Sequence, residues 1–302
     1  MPVLLVLNEL SCEQQLAVNE IDCAMRQFID TLRAITPKAA LVTPMKLPNI
    51  ELAPGYPMNR WAADGRNRDL WRAIRARQNR APYTFHELTP ETPGDDDFQF
   101  GGRGALGLAI AHNHDGLAVS LPTHLDWDAS HLPVRRLWID EDADELVDDA
   151  VTVRHASTPE HTDFHADWLK TFDGDDAVES GLELWAQRGE RFPALEFLPR
   201  VENHLTDLSP GWVRPVFVRL IEIQRAVSEW VPTSGRQPVW ASKITPEHEQ
   251  RRRLCEFVDL DGTTQVFDMH ARFTPGVGRI YFRLNGAGGT ARIAHIGRKL
   301  GA

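Results

Sequence analysis

Residues 3–7 form an unbroken apolar run, Val-Leu-Leu-Val-Leu, and the lack of alternation predicts a strand buried on both faces. Asn8, Glu9, Leu10 and Ser11 follow, and Ser11 with Gln14 has the spacing of a capping box. Leu16, Ile21, Met25, Phe28, Ile29, Leu32 and Ile35 then recur at helical spacing as far as Thr36 and Pro37, which predicts one long amphipathic helix. The turn between strand and helix is where α/β folds favour ligand sites, but it reads first as a plain capped turn.

Residues 37–59 are rich in proline and read as irregular. Helical spacing returns over residues 61–80 through Trp61, Leu70, Trp71 and Ile74. A break follows at residues 89–97, with strands expected at 116–121 and 137–139 around a small apolar stretch at 104–112. Residues 140–149 are strongly acidic. Helices are expected at 178–188, 195–205 and 213–230.

The last sixty residues change character. Thr245-Pro246-Glu247 has the form of a helix start, with proline suited to the first helical position. Four short strands are expected after it, at 251–258, 264–273, 278–284 and 291–300, joined by Asp/Gly, Pro/Gly and Asn/Gly turns. Phe267, Met269, Ala271 and Phe273 alternate with Asp268, His270 and Arg272; Ile280, Phe282 and Leu284 alternate with Arg279, Tyr281 and Arg283. One face is therefore expected to be apolar and the other to carry His, Arg and Tyr. His295 belongs to the polar face if Ala294 and Ile296 are the buried pair, and to the core side if Ile293 is buried.

These patterns give a mixed α+β fold: an α/β and helical body over residues 1–235 and a C-terminal antiparallel β-meander over 236–302, with the boundary at 232–238. The chain has 302 residues, 42% hydrophobic and 25% charged, with a formal net charge of −10. That charge argues against non-specific coating of nucleic acid, while leaving room for a local basic surface. Three cysteines with no metal spacing fit a reducing compartment, and no run reaches the roughly 18 apolar residues of a membrane helix, so a cytoplasmic protein with no membrane association is expected.

The strand sequences Val266-Phe-Asp-Met-His-Ala-Arg272, Gly278-Arg-Ile-Tyr-Phe-Arg283 and Ile293-Ala-His-Ile-Gly-Arg-Lys299 resemble the sheet of the RelE/ParE toxin superfamily. The resemblance covers about a fifth of the chain. Many members of that superfamily are metal-independent, ribosome-dependent endoribonucleases. It implies a metal-free role for Arg272, Arg279, Tyr281, Arg283, Arg298 and Lys299, with His270 where the family more often has a basic residue.

Chemistry can be assigned on that basis. His270 or His295 would act as acid or base, since histidine titrates near neutral pH. Arg272, Arg279 and Arg283 would clamp phosphate, Tyr281 would stack a base or donate a proton, and Arg298 and Lys299 would hold the nucleic-acid backbone. On the helix at 61–80, Arg72 and Arg75 belong to a basic set that would lie along phosphates, with tryptophan available for stacking, or would form a solvated helix face. His161 and His165 lie one helical turn apart beside His155, but no third ligand motif accompanies them, and neither metal nor cofactor is expected. The readings are an RNA-cleaving or RNA-binding protein of a toxin-like or phage-defence system, with a cognate subunit or antitoxin as protein partner, or a non-enzymatic interaction subunit of a defence complex.

Overall fold

Strand β1 (Leu4–Leu7) is buried along its whole length, and its alternate residues enter two different cores. Leu5 and Leu7 join Ile21, Met25, Phe28 and Leu32 of helix α1 (Val18–Ala34) on one side. Leu4 and Val6 join Leu108, Ile110 and Ala111 on the other. A strand covered by both layers has no solvent face to mark with polar residues, hence the unbroken apolar run.

The computed structural model describes residues 2–36, 38–81, 84–89, 96–140, 145–173, 177–273 and 278–301. Helices and several sheets are intermixed, an α+β architecture. The chain divides into two compact units, Met1–Ile139 with Leu146–Ala177, and Asp140–Glu145 with Val178–Ala302. The boundary expected at 232–238 falls inside the second unit, because residues 195–197 pair with the last strand of the chain. The break at 89–97, the acidic stretch at 140–149 and the turn at 274–276 lie wholly or partly outside the described residues.

The first unit is built on β1, β2 (Ala40–Val42), the short pair β3 (Glu51–Ala53) and β4 (Tyr56–Pro57), β5 (Asp96–Phe100), β6 (Arg103–Gly104), β7 (Leu117–Val119), β8 (His131–Asp140) and β9 (Glu145–Ala156). Seven of these make one sheet in the order β2-β1-β7-β9-β8-β5-β6. β1 is parallel to β2 and β7, and β7 is parallel to β9. The chain leaves β1 through α1 to β2 on one side and returns to β7 on the other, so the strand order reverses at β1. Helices α2 (Met58–Ala62), α3 (Arg68–Gln78), α4 (Phe85–Leu88), α5 (Leu106–Asn113) and α6 (Ala166–Lys170) complete the unit.

Three local expectations change here. α1 begins at Val18, not after Ser11, and the Glu20 carboxylate accepts the backbone N–H of Ala17 at 2.7 Å. Ser11 instead stays in a short 3-10 turn and holds the sheet: its hydroxyl donates to the Asn8 carbonyl at 2.7 Å and accepts from Leu121 N at 3.1 Å. The stretch expected to be irregular contains β2, whose three residues are all buried against β1.

In the second unit the order is β10 (Leu195–Phe197), β16 (Thr290–Arg298), β15 (Gly278–Asn285), β14 (Met269–Arg272) and β11 (Ile244–Pro246). β12 (Glu256–Val258) and β13 (Thr264–Val266) form a separate hairpin. Helices α7 (Gly181–Arg191), α8 (Val201–Thr206) and α9 (Pro210–Ser228) accompany them. The meander expected at the C-terminus is present as β14-β15-β16. Thr245 lies in β11 rather than starting a helix, and residues 264–273 form two strands in two sheets. The helix expected at 195–205 starts only at Val201, since Pro193 and Pro199 bracket a short apolar run that pairs with β16.

Candidate functional site

The predicted polar row assembles across the central strands. His270 stands opposite Tyr281, and Tyr281 opposite His295. The ring centroids are 5.4 Å apart for His270 and Tyr281 and 5.9 Å for Tyr281 and His295. The question of register at His295 has an answer neither alternative held. A bulge between Tyr281 and Phe282 pairs Phe282 with Ile293 and Tyr281 with His295, leaving Ala294 as the extra residue. Ile293, Ala294 and Ile296 are therefore all buried while His295 still joins the tyrosine.

This row is not the open face expected of it. Arg279 and Tyr281 are 0% exposed and His270 is 1% exposed. The covering groups are the chain's own. The Tyr281 hydroxyl donates to Glu247 Oε2 at 2.9 Å, and Arg251 Nε lies 3.2 Å from Glu247 Oε1. Burial pushes the Tyr281 hydroxyl above its ordinary pKa, and the Glu247 carboxylate pushes it the same way. Arg279 Nη1 donates to the Gly278 carbonyl at 3.1 Å.

Further along β15, Arg283 pairs with Asp259, whose side chain has no exposed surface. Arg292 Nη1 reaches the same Asp259 oxygen at 2.9 Å, and its Nε pairs with Glu196. Burial alone would raise the Asp259 carboxyl, but the hydrogen bonds from Arg283, Leu260 N and Arg292 outweigh it and hold the pKa below the usual range.

His295 Nε2 donates to the Arg298 carbonyl at 2.9 Å, and the His204 ring packs edge-on to it at 4.7 Å. Burial lowers both imidazoles, and the neighbouring His295 and Arg200 help take His204 to about 4. These histidines are neutral at physiological pH, a poor starting point for a general acid. Arg272 and Lys299 are half-buried, and Arg298 is exposed.

In the first unit the arginines expected to meet phosphate behave differently. Arg68, Arg72 and Arg75 follow one another at helical spacing along α3, and all three are exposed. Arg72 pairs with Asp69 at 3.4 Å, both side chains being largely in solvent. The Arg75 guanidinium lies over the Trp71 ring at 5.9 Å. Arg77 turns inward and donates to the Thr36 carbonyl at 3.1 Å.

The sequence did not mark a second polar constellation, at the carboxyl ends of β1, β7 and β9. Asn8 Nδ2 donates to Ser120 Oγ at 2.9 Å, and Ser120 Oγ lies 2.7 Å from His155 Nε2. A Ser–His pair at this distance has the form of half a nucleophilic dyad. However, Asn8, Ser120 and His155 have no exposed surface, and a backbone carbonyl, Ala129 O at 2.6 Å, takes the place of an orienting acid. The pair ties strands together. His155, His161 and His165 do gather, with His165 Nε2 donating to the His155 carbonyl at 3.0 Å and His161 Nε2 3.4 Å from Asp128. Among the described residues no group of three His, Cys, Asp or Glu side chains is placed to hold a metal ion.

Comparison with known proteins adds no constraint: no protein-family model, no curated protein and no solved structure matches this chain. Among the described residues no helix is long and apolar enough to cross a membrane.

Proposed function

We propose that this protein binds RNA without cleaving it, and that its contact surface is the outward stripe Arg68, Arg72 and Arg75 of α3. The observation that carries this reading is the contrast between two sets of arginines. Arg283 and Arg292 of the C-terminal sheet are spent on Asp259 and Glu196, Arg279 is buried and donates to a backbone carbonyl, and Arg251 nearby is spent on Glu247. Arg68, Arg72 and Arg75 of α3 project into solvent, at a spacing that follows one face of a helix. Cleavage would need the His270–Tyr281–His295 row to meet a phosphate, and His270 and Tyr281 are buried while His295 is half-buried.

The cytoplasmic setting fits three free cysteines, and the toxin-like or defence setting follows from the resemblance of the C-terminal strands alone. A test is fluorescence anisotropy with a labelled single-stranded RNA over a salt series. Each phosphate contact removed by Arg72→Ala or Arg75→Ala should reduce the slope of log K against log salt by about 0.7. Equal binding by the wild type and the Arg68→Ala/Arg72→Ala/Arg75→Ala variant would overturn the assignment of the surface. Degradation of the RNA, abolished by Arg279→Ala, would restore the endonuclease reading.

A second reading is favoured by the same buried row. A polar sheet face covered by the chain's own carboxylates is what a non-enzymatic interaction subunit would carry. Its signature would be a stable protein partner in the absence of RNA.

A further inference from the structure

The loops that leave the carboxyl ends of the parallel neighbours β1 and β2 meet on the edge of the sheet at which open parallel sheets hold their ligands. A cavity of about 350 Å3 lies there. Its wall is apolar, made by Leu7, Ile50, Pro44, Pro54 and Met45, with Cys12 beside them. Three carboxylates, Glu9, Glu13 and Glu51, complete the lining. The size falls in the range of small-molecule sites, which are mostly apolar with a few placed polar groups.

The three carboxylates are not equivalent. Glu9 is committed to the fold: its two oxygens accept from Leu106 N at 2.7 Å and Gly107 N at 2.9 Å, capping the first turn of α5. Gly107 is required for this approach, since a Cβ there would lie 2.4 Å from Leu7 O and 2.5 Å from Glu9 Oε2. Glu13 shares one oxygen with Arg103 Nη1 at 2.5 Å. Glu51 accepts only a long hydrogen bond from Gly55 N, 3.3 Å. Both Glu13 and Glu51 are exposed residues. With Arg103 set against three carboxylates, the cavity keeps an excess of negative charge over an apolar floor.

We infer that this cavity binds a small amphipathic amine, with its apolar body against Leu7, Ile50 and Met45 and its ammonium at Glu51 and Glu13. Charge complementarity selects the ligand class: an anion would meet the same carboxylates unpaired, and a neutral molecule of the same shape would gain only the apolar contact. The site is independent of the α3 surface and of the C-terminal sheet, so it stands or falls apart from the RNA reading.

The test uses the full chain and three probes of one shape, 4-fluorophenethylammonium, 2-(4-fluorophenyl)ethanol and 4-fluorophenylacetate, each followed by fluorine NMR line broadening. The ammonium should bind with a Kd at or below about 1 mM and at least about fivefold more tightly than the alcohol, with the acetate weakest. Glu51→Gln and Glu13→Gln should each weaken the ammonium about two- to fivefold and leave the alcohol unchanged. Met45→Trp, which crowds the apolar wall, should weaken ammonium and alcohol together. Circular dichroism melts of each variant separate loss of binding from loss of fold. Equal affinity for ammonium and alcohol, insensitivity to both glutamine variants, or no broadening up to about 5 mM probe would each overturn the proposal.

Discussion

The hydroxyl of Ser120 donates to Nε2 of His155, and the direction of that 2.7 Å bond follows from its neighbours. The Ala129 carbonyl 2.6 Å from Nδ1 can only accept, so Nδ1 carries the proton and Nε2 is bare. Asn8 Nδ2 already donates to Ser120 Oγ at 2.9 Å, which leaves the serine proton free for the imidazole. The serine hydroxyl and both imidazole nitrogens each have a matching partner while His155 is neutral. A proton on Nε2 would turn the serine oxygen into an acceptor on both sides and take away the acceptor of its own proton.

That matching makes stability fall in acid. Burial, the largest cause, and the nearby His161, His165 and His131 take His155 from 6.5 to about 4. The unfolded chain binds this proton first, so stability is complete above about pH 6.5 and is lost as pH falls toward about 4. The loss is on the order of 3 kcal/mol for this residue. His112 and His165 in the same unit are lowered too, chiefly by burial, and act in the same direction. Urea melts at neutral pH and near pH 5 should show the fall, and His155→Gln should flatten it; a flat profile in the wild type would show that the imidazole is hydrated.

Tyr281→Phe removes the hydroxyl that meets Glu247 and should cost about 1–2 kcal/mol, since it leaves a buried carboxylate short of a donor. RNA affinity should not change. Denaturant midpoints and anisotropy on the same sample separate the two effects, and a selective loss of RNA binding would put Tyr281 back at a nucleic-acid surface.

Asp259→Asn should be the more damaging change. It removes the one charge facing both Arg283 and Arg292, and breaking a buried pair on one side costs on the order of 3 kcal/mol. Because the paired Asp259 carboxyl is held low, its contribution is present above the unfolded carboxylate range and is lost as pH falls below that range and through the lower folded value. The variant should therefore lose stability at neutral pH and much less in strong acid, as read from thermal melts.

Gly107→Ala should destabilise the first unit by more than the usual small penalty, because the added methyl meets backbone Leu7 O, which cannot swing away. Differential scanning calorimetry should show a lower Tm.

Much of the fold was legible because apolar period and burial agree. The run at 3–7, the spacing from Ile21 to Leu32, and the alternation through Ile280 and Phe282 each became the element expected. β2 was hidden because three small buried residues, Ala40, Leu41 and Val42, carry no period of their own. The alternation placed His270 and Tyr281 on one face, left His295 open between two registers, and gave no sign that the row is buried. Alternation says which residues share a face; it does not say whether Glu247, twenty-three positions before His270, lies across that face. The Asn8–Ser120–His155 chain was illegible for the same reason, since Asn8 and Ser120 lie 112 positions apart, Ser120 and His155 35 apart, and all three meet only through the parallel pairing of β1, β7 and β9.

The placement of β1 between two layers also sets a timetable for synthesis. Its partner in α1 and β2 is available by residue 42, but β7 and α5, which cover Leu4 and Val6, are made roughly 75 residues later. At ribosomal rates that interval lasts about 4–15 s. Throughout it the nascent chain presents one apolar side already begun by α1 and one bare one, an opening for chaperones and for misassembly with neighbouring chains.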